Sequence, residues 1–216
     1  MKALNNIKII GIDHGYGNIK TANTITPTGV IPSTTRPVFG SNILRCDGMY
    51  YSCGEGHKAF ISDKSGDNDY YLLTLMGAAK ELRRAGISEA DVYLAAGLPL
   101  TWVKSQREEF TNYLMRNERV EFEFNDRLYK LRFVGCSVFP QGYTAVIDRL
   151  SEMRGVNMLA DIGNGTMDIM EYARGHRKRH HEHHVHNQLQ SRCKQMLDGK
   201  TRCESVRYPR RKCRYG

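Results

Sequence analysis

Two short segments of this chain each place an aspartate and two glycines directly after an apolar run. The first, at 13–20, reads Asp-His-Gly-Tyr-Gly-Asn-Ile-Lys, and the second, at 161–168, reads Asp-Ile-Gly-Asn-Gly-Thr-Met-Asp. The apolar run predicts a strand, and the glycines let its backbone turn back tightly, so that consecutive N–H groups converge on an anion. An aspartate at the end of the strand can bind Mg²⁺ directly or through water. The pattern therefore predicts two hairpins that face each other across one polyphosphate.

The spacing separates these segments from other phosphate-binding motifs. Neither the Walker pattern Gly-x-x-x-x-Gly-Lys-[Ser/Thr] nor the dinucleotide pattern Gly-x-Gly-x-x-Gly occurs in the sequence. A single glycine-rich turn after a strand is common and by itself indicates only a turn. Two copies, separated by the length of a domain, favour nucleotide binding instead.

The paired segments resemble the phosphate-1 and phosphate-2 loops of the superfamily that contains actin, sugar kinases and heat-shock chaperone ATPases. Two further segments, Gly-Leu-Pro-Leu at 97–100 and Phe-Pro-Gln-Gly-Tyr at 139–143, favour one branch of it. On these four segments, residues 7–172 resemble the N-terminal half of the bacterial actin-like ATPases of plasmid segregation, the ParM/StbA family. The resemblance implies an α/β fold, namely an actin-like (ribonuclease H-like) domain I with a mixed sheet and flanking helices.

The same resemblance assigns a nucleotide site. It implies ATP or GTP as the nucleotide, with Mg²⁺ held by Asp13 and Asp161 and the attacking water oriented by Gln141 and Asp161. The residues implied to bind the nucleotide are Asp13, Gly15, Tyr16, Gly17, Asn18, Lys20, Gly163, Asn164, Gly165 and Thr166. Phosphoryl transfer needs mainly positioning and charge compensation, which these residue types supply.

Simpler interpretations stay open for several of these residues. In them, Lys20 is a solvated strand lysine, Gln141 caps the helix that follows it, and Asp168 closes the second hairpin. His14 is better explained as the variable position of its loop than as a general base. His57 is interpreted as a loop side chain.

The resemblance also implies partners. At full length such a protein forms filaments with itself, hydrolyses ATP as the filaments turn over, and moves plasmid or mobile-element DNA through an adaptor protein bound to a centromere-like site. Two alternatives stay open: a small-molecule kinase of the same superfamily, and a nucleic-acid-binding protein that uses a basic tail. Since no apolar run approaches the ~20 residues that span a bilayer and the cysteines lack disulfide spacing, we expect a cytoplasmic protein without a membrane partner.

The composition changes abruptly after residue 172, which divides the chain into a body, residues 1–172, and a tail, residues 173–216. The tail carries 13 of the 32 lysines and arginines, 6 of the 8 histidines and only 3 of the 23 acidic residues, so that the body is nearly neutral although the net charge is +9. With no apolar periodicity and no zinc-ligand spacing, the tail is expected to be disordered. We interpret this composition as that expected from a frameshifted or altered gene end. We therefore expect the family's second domain to be missing, ATP binding to be weak and turnover to be negligible.

Local patterns predict the elements that carry these motifs. Apolar residues at helical spacing predict amphipathic helices at 69–86, about 104–116 and 143–153. Gly86 is the expected C-cap of the first helix. Alternating apolar residues on both sides of positions 125–126 predict a hairpin, and the Pro/Ser/Thr-rich stretch at 26–37 is expected to be irregular.

Overall fold

The computed structural model describes residues 1–57, 64–149, 151–162, 166–173 and 176–184. This part of the chain forms thirteen strands, two α-helices and two short 3₁₀ helices. The strands are β1 (Lys2–Leu4), β2 (Ile7–His14), β3 (Asn18–Thr21), β4 (Ile25–Pro27), β5 (Val30–Ser33), β6 (Ile43–Cys46), β7 (Met49–Cys53), β8 (Glu89–Leu98), β9 (Arg119–Phe124), β10 (Arg127–Pro140), β11 (Val156–Ile162), β12 (Thr166–Ala173) and β13 (His176–His184). The helices are α1 (Asp69–Arg84), α2 (Leu100–Leu114) and the 3₁₀ helices Tyr143–Ala145 and Ile147–Arg149.

The strands form two sheets. The large sheet has ten strands in the order β4-β3-β2-β8-β10-β9-β6-β7-β5, with β1 paired to β2, and the small sheet has the order β11-β12-β13. At the centre of the large sheet β2, β8 and β10 run parallel, whereas the remaining pairs are antiparallel. The predicted α/β class with a mixed sheet and flanking helices is confirmed.

The core lies between one face of the large sheet and the two α-helices. Alternate residues of β2 point to this face, so that Ile10, Ile12 and His14 are all buried. The predicted first helix is confirmed as α1, whose apolar residues enter the same core. It ends at Arg84 with Ala85 as its C-cap, one residue before the predicted one. Gly86 follows with a φ of +74° and donates its N–H to the Arg83 carbonyl.

The hairpin predicted around residues 125–126 joins β9 and β10. Asn125 and Asp126 have φ values of +47° and +62°, which are typical of the tight two-residue turn that matches strand twist. The Asn125 carboxamide oxygen also accepts a hydrogen bond of 2.9 Å from the Ile43 N–H, which ties the turn to β6. The second predicted helix is likewise found, as α2, beginning four residues earlier than expected.

Three expectations differ from the structure. The helix expected at 143–153 is replaced by the two 3₁₀ helices, because Val146 is buried there while Ile147 is half exposed and gives an α-helix no apolar face to pack. The stretch 26–37, expected to be irregular, contributes to β4 and contains β5. The tail, expected to be disordered, begins with β13, which pairs with the open edge of β12 through backbone bonds that need no apolar side chains. Residues 185–216 of the tail lie outside the described residues.

Candidate phosphate-binding site

The first predicted hairpin is present, and its aspartate lies at the centre of a polar cluster. Asp13 is the next-to-last residue of β2 and pairs in register with Lys20 on β3. The Lys20 ammonium lies 3.3 Å from one carboxylate oxygen of Asp13, and both side chains are about half exposed. The Gln141 carboxamide donates a 2.7 Å hydrogen bond to the other oxygen. Three of the residues assigned by resemblance therefore meet at one point.

The parallel pairing of β8 and β10 brings Gln141 to this point. Its backbone N–H donates to the Leu98 carbonyl at 2.8 Å, which continues the ladder one residue beyond the end of β10. Gly97 on β8 leaves the space for the side chain, since a Cβ there would lie 3.0 Å from Gln141 Cγ and 3.5 Å from an Asp13 oxygen. The alternative role of Gln141 as a helix cap is not supported by these bonds.

Asp161, at the end of β11 in the small sheet, approaches the same cluster. The contact runs through Gly142, whose φ is +73°; a Cβ on Gly142 would lie 3.1 Å from Asp161 Cβ and 3.3 Å from one of its oxygens. Burial is the main cause that raises the pKa of Asp161; the Asp13 carboxylate raises it further and Lys20 lowers it. Asp13 and Asp161 thus lie close enough for their charges to interact.

The second predicted hairpin is confirmed in its strands. Asp161 pairs with Asp168 and Ile162 with Met167, so the chain turns between β11 and β12 where the sequence predicted it. Thr166 opens β12. Gly163, Asn164 and Gly165, the tip of this hairpin, lie outside the described residues.

The loop of the first hairpin, residues 15–18, is tightly folded. A Cβ on Gly15 would lie 2.6 Å from the Asn18 carbonyl oxygen, which no ordinary side chain tolerates. Glycine is therefore required at this position by close backbone approach. Tyr16 and Gly17 complete the turn, and Asn18 begins β3.

His14 is part of the core. Its ring is fully buried against Phe110 and shares a 2.8 Å hydrogen bond with the Thr74 hydroxyl. Because that hydroxyl already donates to the Tyr70 carbonyl, His14 Nε2 carries the proton and donates. Burial, and then the Lys64 ammonium, lower the pKa of His14 to about 3. A neutral, enclosed imidazole is unsuited to general-base catalysis. The interpretation of His14 as a variable loop position is nevertheless wrong, because His14 is a buried core residue of β2.

No role was predicted from the sequence for the residues that donate hydrogen bonds to the backbone carbonyls of the first loop. Lys64 donates to the His14 carbonyl, His57 Nδ1 lies 2.6 Å from the Gly17 carbonyl, and Thr28 donates to the Tyr16 carbonyl. These contacts join residues far apart in the chain, so no local spacing in the sequence signals them.

The donor set suits magnesium bound together with phosphate. Among the described residues, no group of three or more His, Cys, Asp or Glu side chains forms a self-sufficient metal site. Mg²⁺ commonly takes one or two carboxylates and completes its shell with water and phosphate oxygens, and Asp13 and Asp161 are such a pair. Across the residues described, neither α-helix has the length and apolarity that a bilayer crossing requires.

Comparison with known sequences gives one family. Residues 11–143 match the family described as actin like proteins N terminal domain, a stretch that includes Asp13, Lys20 and Gln141. Among curated proteins, none matches the chain.

Solved structures with similar folds include a filament. The chain superposes on AlfA from the B. subtilis plasmid pLS32, in a filament structure, with a TM-score of 0.66 and 14% identity over 88% of this chain and 78% of AlfA. It superposes on the apo psk41 ParM protein with a TM-score of 0.67 and 14% identity over 90% and 74% of the two chains. Ta0583, an archaeal actin homologue in complex with ADP, gives 0.62 and 16% identity over 83% and 61%. At these identities the likeness shows the fold.

Proposed function

Because the chain belongs to the family of actin-like proteins and carries their N-terminal domain, we propose that it binds a nucleoside triphosphate with Mg²⁺ between its two hairpins. The observation that supports this most directly is the cluster of Asp13, Lys20, Gln141 and Asp161, which joins the ends of β2 and β11. A metal-bound polyphosphate requires carboxylates for the metal and a cation and hydrogen-bonding groups for the phosphates. The cluster supplies two carboxylates, one cation and one carboxamide next to a glycine-rich loop.

Each residue has a distinct proposed task. Lys20 neutralises phosphate charge, and the amides of residues 15–18 bind phosphate oxygens. Asp13 and Asp161 would hold Mg²⁺, which supplies charge compensation at the phosphates when bound. Asp13 already accepts bonds from Lys20 and Gln141, so a role through metal-bound water fits it best. Gln141, held by its backbone and side chain, is placed to orient a water near the terminal phosphate.

The larger role proposed is that of a nucleotide-dependent filament protein in plasmid or mobile-element DNA segregation. It is supported by the filament structure of AlfA, whose fold this chain shares. The adaptor protein and its DNA site belong to this proposal and stand on the resemblance alone. Weak binding of ATP and negligible turnover by this chain also remain predictions.

Calorimetry with MgATP and MgADP on the full chain tests the central proposal. We expect saturable binding that is abolished by Asp13→Ala together with Asp161→Ala, because the pair supplies the carboxylates. Asp126→Ala is the control, since this exposed residue lies at the β9–β10 turn and pairs with Arg36 away from the cluster. Wild-type protein that binds neither nucleotide, with or without Mg²⁺, contradicts the proposal.

Sedimentation separates the filament role from the kinase alternative. A filament protein pellets with MgATP and remains in the supernatant without it, whereas a kinase releases ADP only when its second substrate is present. Salt-sensitive DNA retention that disappears when residues 174–216 are deleted would instead favour nucleic-acid binding by the tail.

A further inference from the structure

Four consecutive carbonyl groups in the first hairpin, those of residues 14–17, all accept hydrogen bonds from other parts of the chain. The donors are Lys64 Nζ to His14 O, Tyr70 Oη to Gly15 O (3.4 Å), Thr28 Oγ1 to Tyr16 O (2.5 Å), and both Thr28 N (3.2 Å) and His57 Nδ1 (2.6 Å) to Gly17 O. Because a carbonyl only accepts, the His57 ring must carry its proton on Nδ1. The donors come from separate parts of the chain, so the arrangement is a property of the fold.

The direction of the carbonyls fixes the direction of the amides. In a trans peptide the C=O of one residue and the N–H of the next point to opposite sides, and the described residues contain no cis peptide bond. Each carbonyl that a donor holds therefore fixes the N–H of the following residue, within 15–18, on the side opposite to that donor. Successive amides that point to one side form a concave site for an anion.

The strand that precedes the loop shows which side this is. The His14 ring faces the helices, and alternate residues of a strand point to opposite faces, so the Asp13 carboxylate lies on the other face. Tyr70 donates to the Gly15 carbonyl from α1, so the N–H of Tyr16 points to the face where Lys20 and Gln141 surround Asp13.

Two of the donors are enclosed by the protein. Thr28 and Lys64 both have no exposed surface. The Lys64 ammonium also lies 4.8 Å from the centre of the Tyr16 ring. A buried ammonium is costly unless it is well compensated, and here it places positive charge directly behind the loop, where it favours an anion in front.

We propose that Thr28, His57, Lys64 and Tyr70 are positioning residues that hold the first hairpin loop with its amides turned toward the phosphates of a nucleotide. This inference rests on the proposed function, because it assigns the anion that the amides receive. The residues act through the backbone and need not touch the ligand.

A matched set of threonine variants tests the proposal. Thr28→Val keeps the shape and removes the hydroxyl donor, and we expect the affinity for MgADP and for inorganic tripolyphosphate to fall about tenfold. Thr28→Ser restores the donor and should bind within about twofold of wild type. Thr26→Val is the control: Thr26 is also buried nearby, but its hydroxyl accepts from Lys80 at 2.7 Å and does not contact the loop.

Should Thr28→Val fail to fold, His57 offers a second pair at the partly exposed rim. His57→Asn can still donate to the Gly17 carbonyl and should retain binding, whereas His57→Ala should lose several-fold in affinity. The amide proton resonances of Gly15 and Gly17 give a readout that a merely structural role would not move. They should shift downfield when tripolyphosphate is added to the wild-type protein.

The outcomes separate this inference from the proposed function. Wild-type protein that binds neither nucleotide nor tripolyphosphate contradicts the proposed function itself. Wild-type protein that binds, with folded Thr28→Val and His57→Ala variants that bind equally well, overturns the positioning role alone. Binding without any change in the Gly15 and Gly17 amide resonances does the same.

Discussion

The two glycine hairpins of this protein have the same strand register but differ in the sheet they belong to and in the charges around their aspartates. In each, the leading aspartate pairs with the residue seven positions later, Asp13 with Lys20 and Asp161 with Asp168. The first hairpin belongs to the large sheet, and its aspartate is compensated by the lysine opposite. The second belongs to the small sheet and carries an acid at the corresponding position, while burial raises the pKa of Asp161. The same backbone motif thus supports an ion pair at one side of the site and a partly buried carboxyl at the other.

The largest effect on nucleotide affinity is expected at the first loop, where the backbone of Asn18 passes closest to Gly15. Gly15→Ala would place a Cβ 2.6 Å from the Asn18 carbonyl and force the loop to open. We expect the affinity for MgATP to fall about a hundredfold, measured by calorimetry. Gly11→Ala on the same strand is the control, because no atom lies within 4 Å of the position that its Cβ would take. Equal affinities for both variants would show that this loop does not form the site.

The pH dependence of stability should also belong to the first hairpin. His14 has a pKa of about 3 when folded against 6.5 unfolded, so the unfolded state takes up a proton first as the pH falls. The contribution of neutral His14 to the free energy of unfolding is therefore fully present above pH 6.5 and is lost below it. The loss is up to about 1.4 kcal/mol per pH unit and reaches about 2 kcal/mol at pH 5. The second hairpin carries Ile162 at the equivalent position, and the raised pKa of its Asp161 gives the opposite dependence, a contribution to stability that is lost as the pH rises.

Urea unfolding of the wild type and of His14→Gln between pH 7 and pH 5 checks this expectation. The variant is expected to be less stable overall but to show a shallower decline with acid. Parallel declines in the two proteins would mean that other groups cause the acid sensitivity.

The contact between the hairpins can be tested at Gly142. Gly142→Ala and Gly155→Ala both place alanine at a φ near +70°, and each should cost about 1 kcal/mol in stability. Only the first also presses on Asp161, since nothing lies within 4 Å of a Cβ at Gly155. We expect MgATP affinity to drop about tenfold for Gly142→Ala and to stay near wild type for Gly155→Ala. Identical affinities would separate the two hairpins functionally.

The smallest effect should distinguish the two aspartates in the nucleotide-free protein. The raised pKa of Asp161 means that its ionised form is disfavoured in the folded state, so Asp161→Asn should raise the Tm by about 1–3 °C. Asp13→Asn should lower the Tm slightly, because it weakens the bonds with Lys20 and Gln141. Shifts of the same sign, measured by calorimetric melting without Mg²⁺, would contradict the difference between the hairpins.

The features that the sequence predicted are those with local causes. Both hairpins, α1 with its terminal glycine and the turn at Asn125 depend on residues close together in the chain. Asp13 and Gln141 are 128 positions apart, so no local pattern predicts their contact. Only the family resemblance placed both residues in one site. The backing of the first loop by Lys64 and the pairing of β13 with β12 were missed, because they depend on which distant segments the fold places side by side.

Gln141 and Gly142 are neighbours in the chain. The Gln141 side chain donates a hydrogen bond to Asp13, and Gly142 packs closely against Asp161. Because these adjacent residues contact both aspartates, the distance between Asp13 and Asp161 depends on the same backbone segment as the Gln141–Asp13 hydrogen bond. Any displacement of the small sheet that moves Gly142 would also move the Gln141 carboxamide, because the two residues are adjacent in the chain. The distance between the two aspartates and the Gln141–Asp13 hydrogen bond are therefore expected to change together.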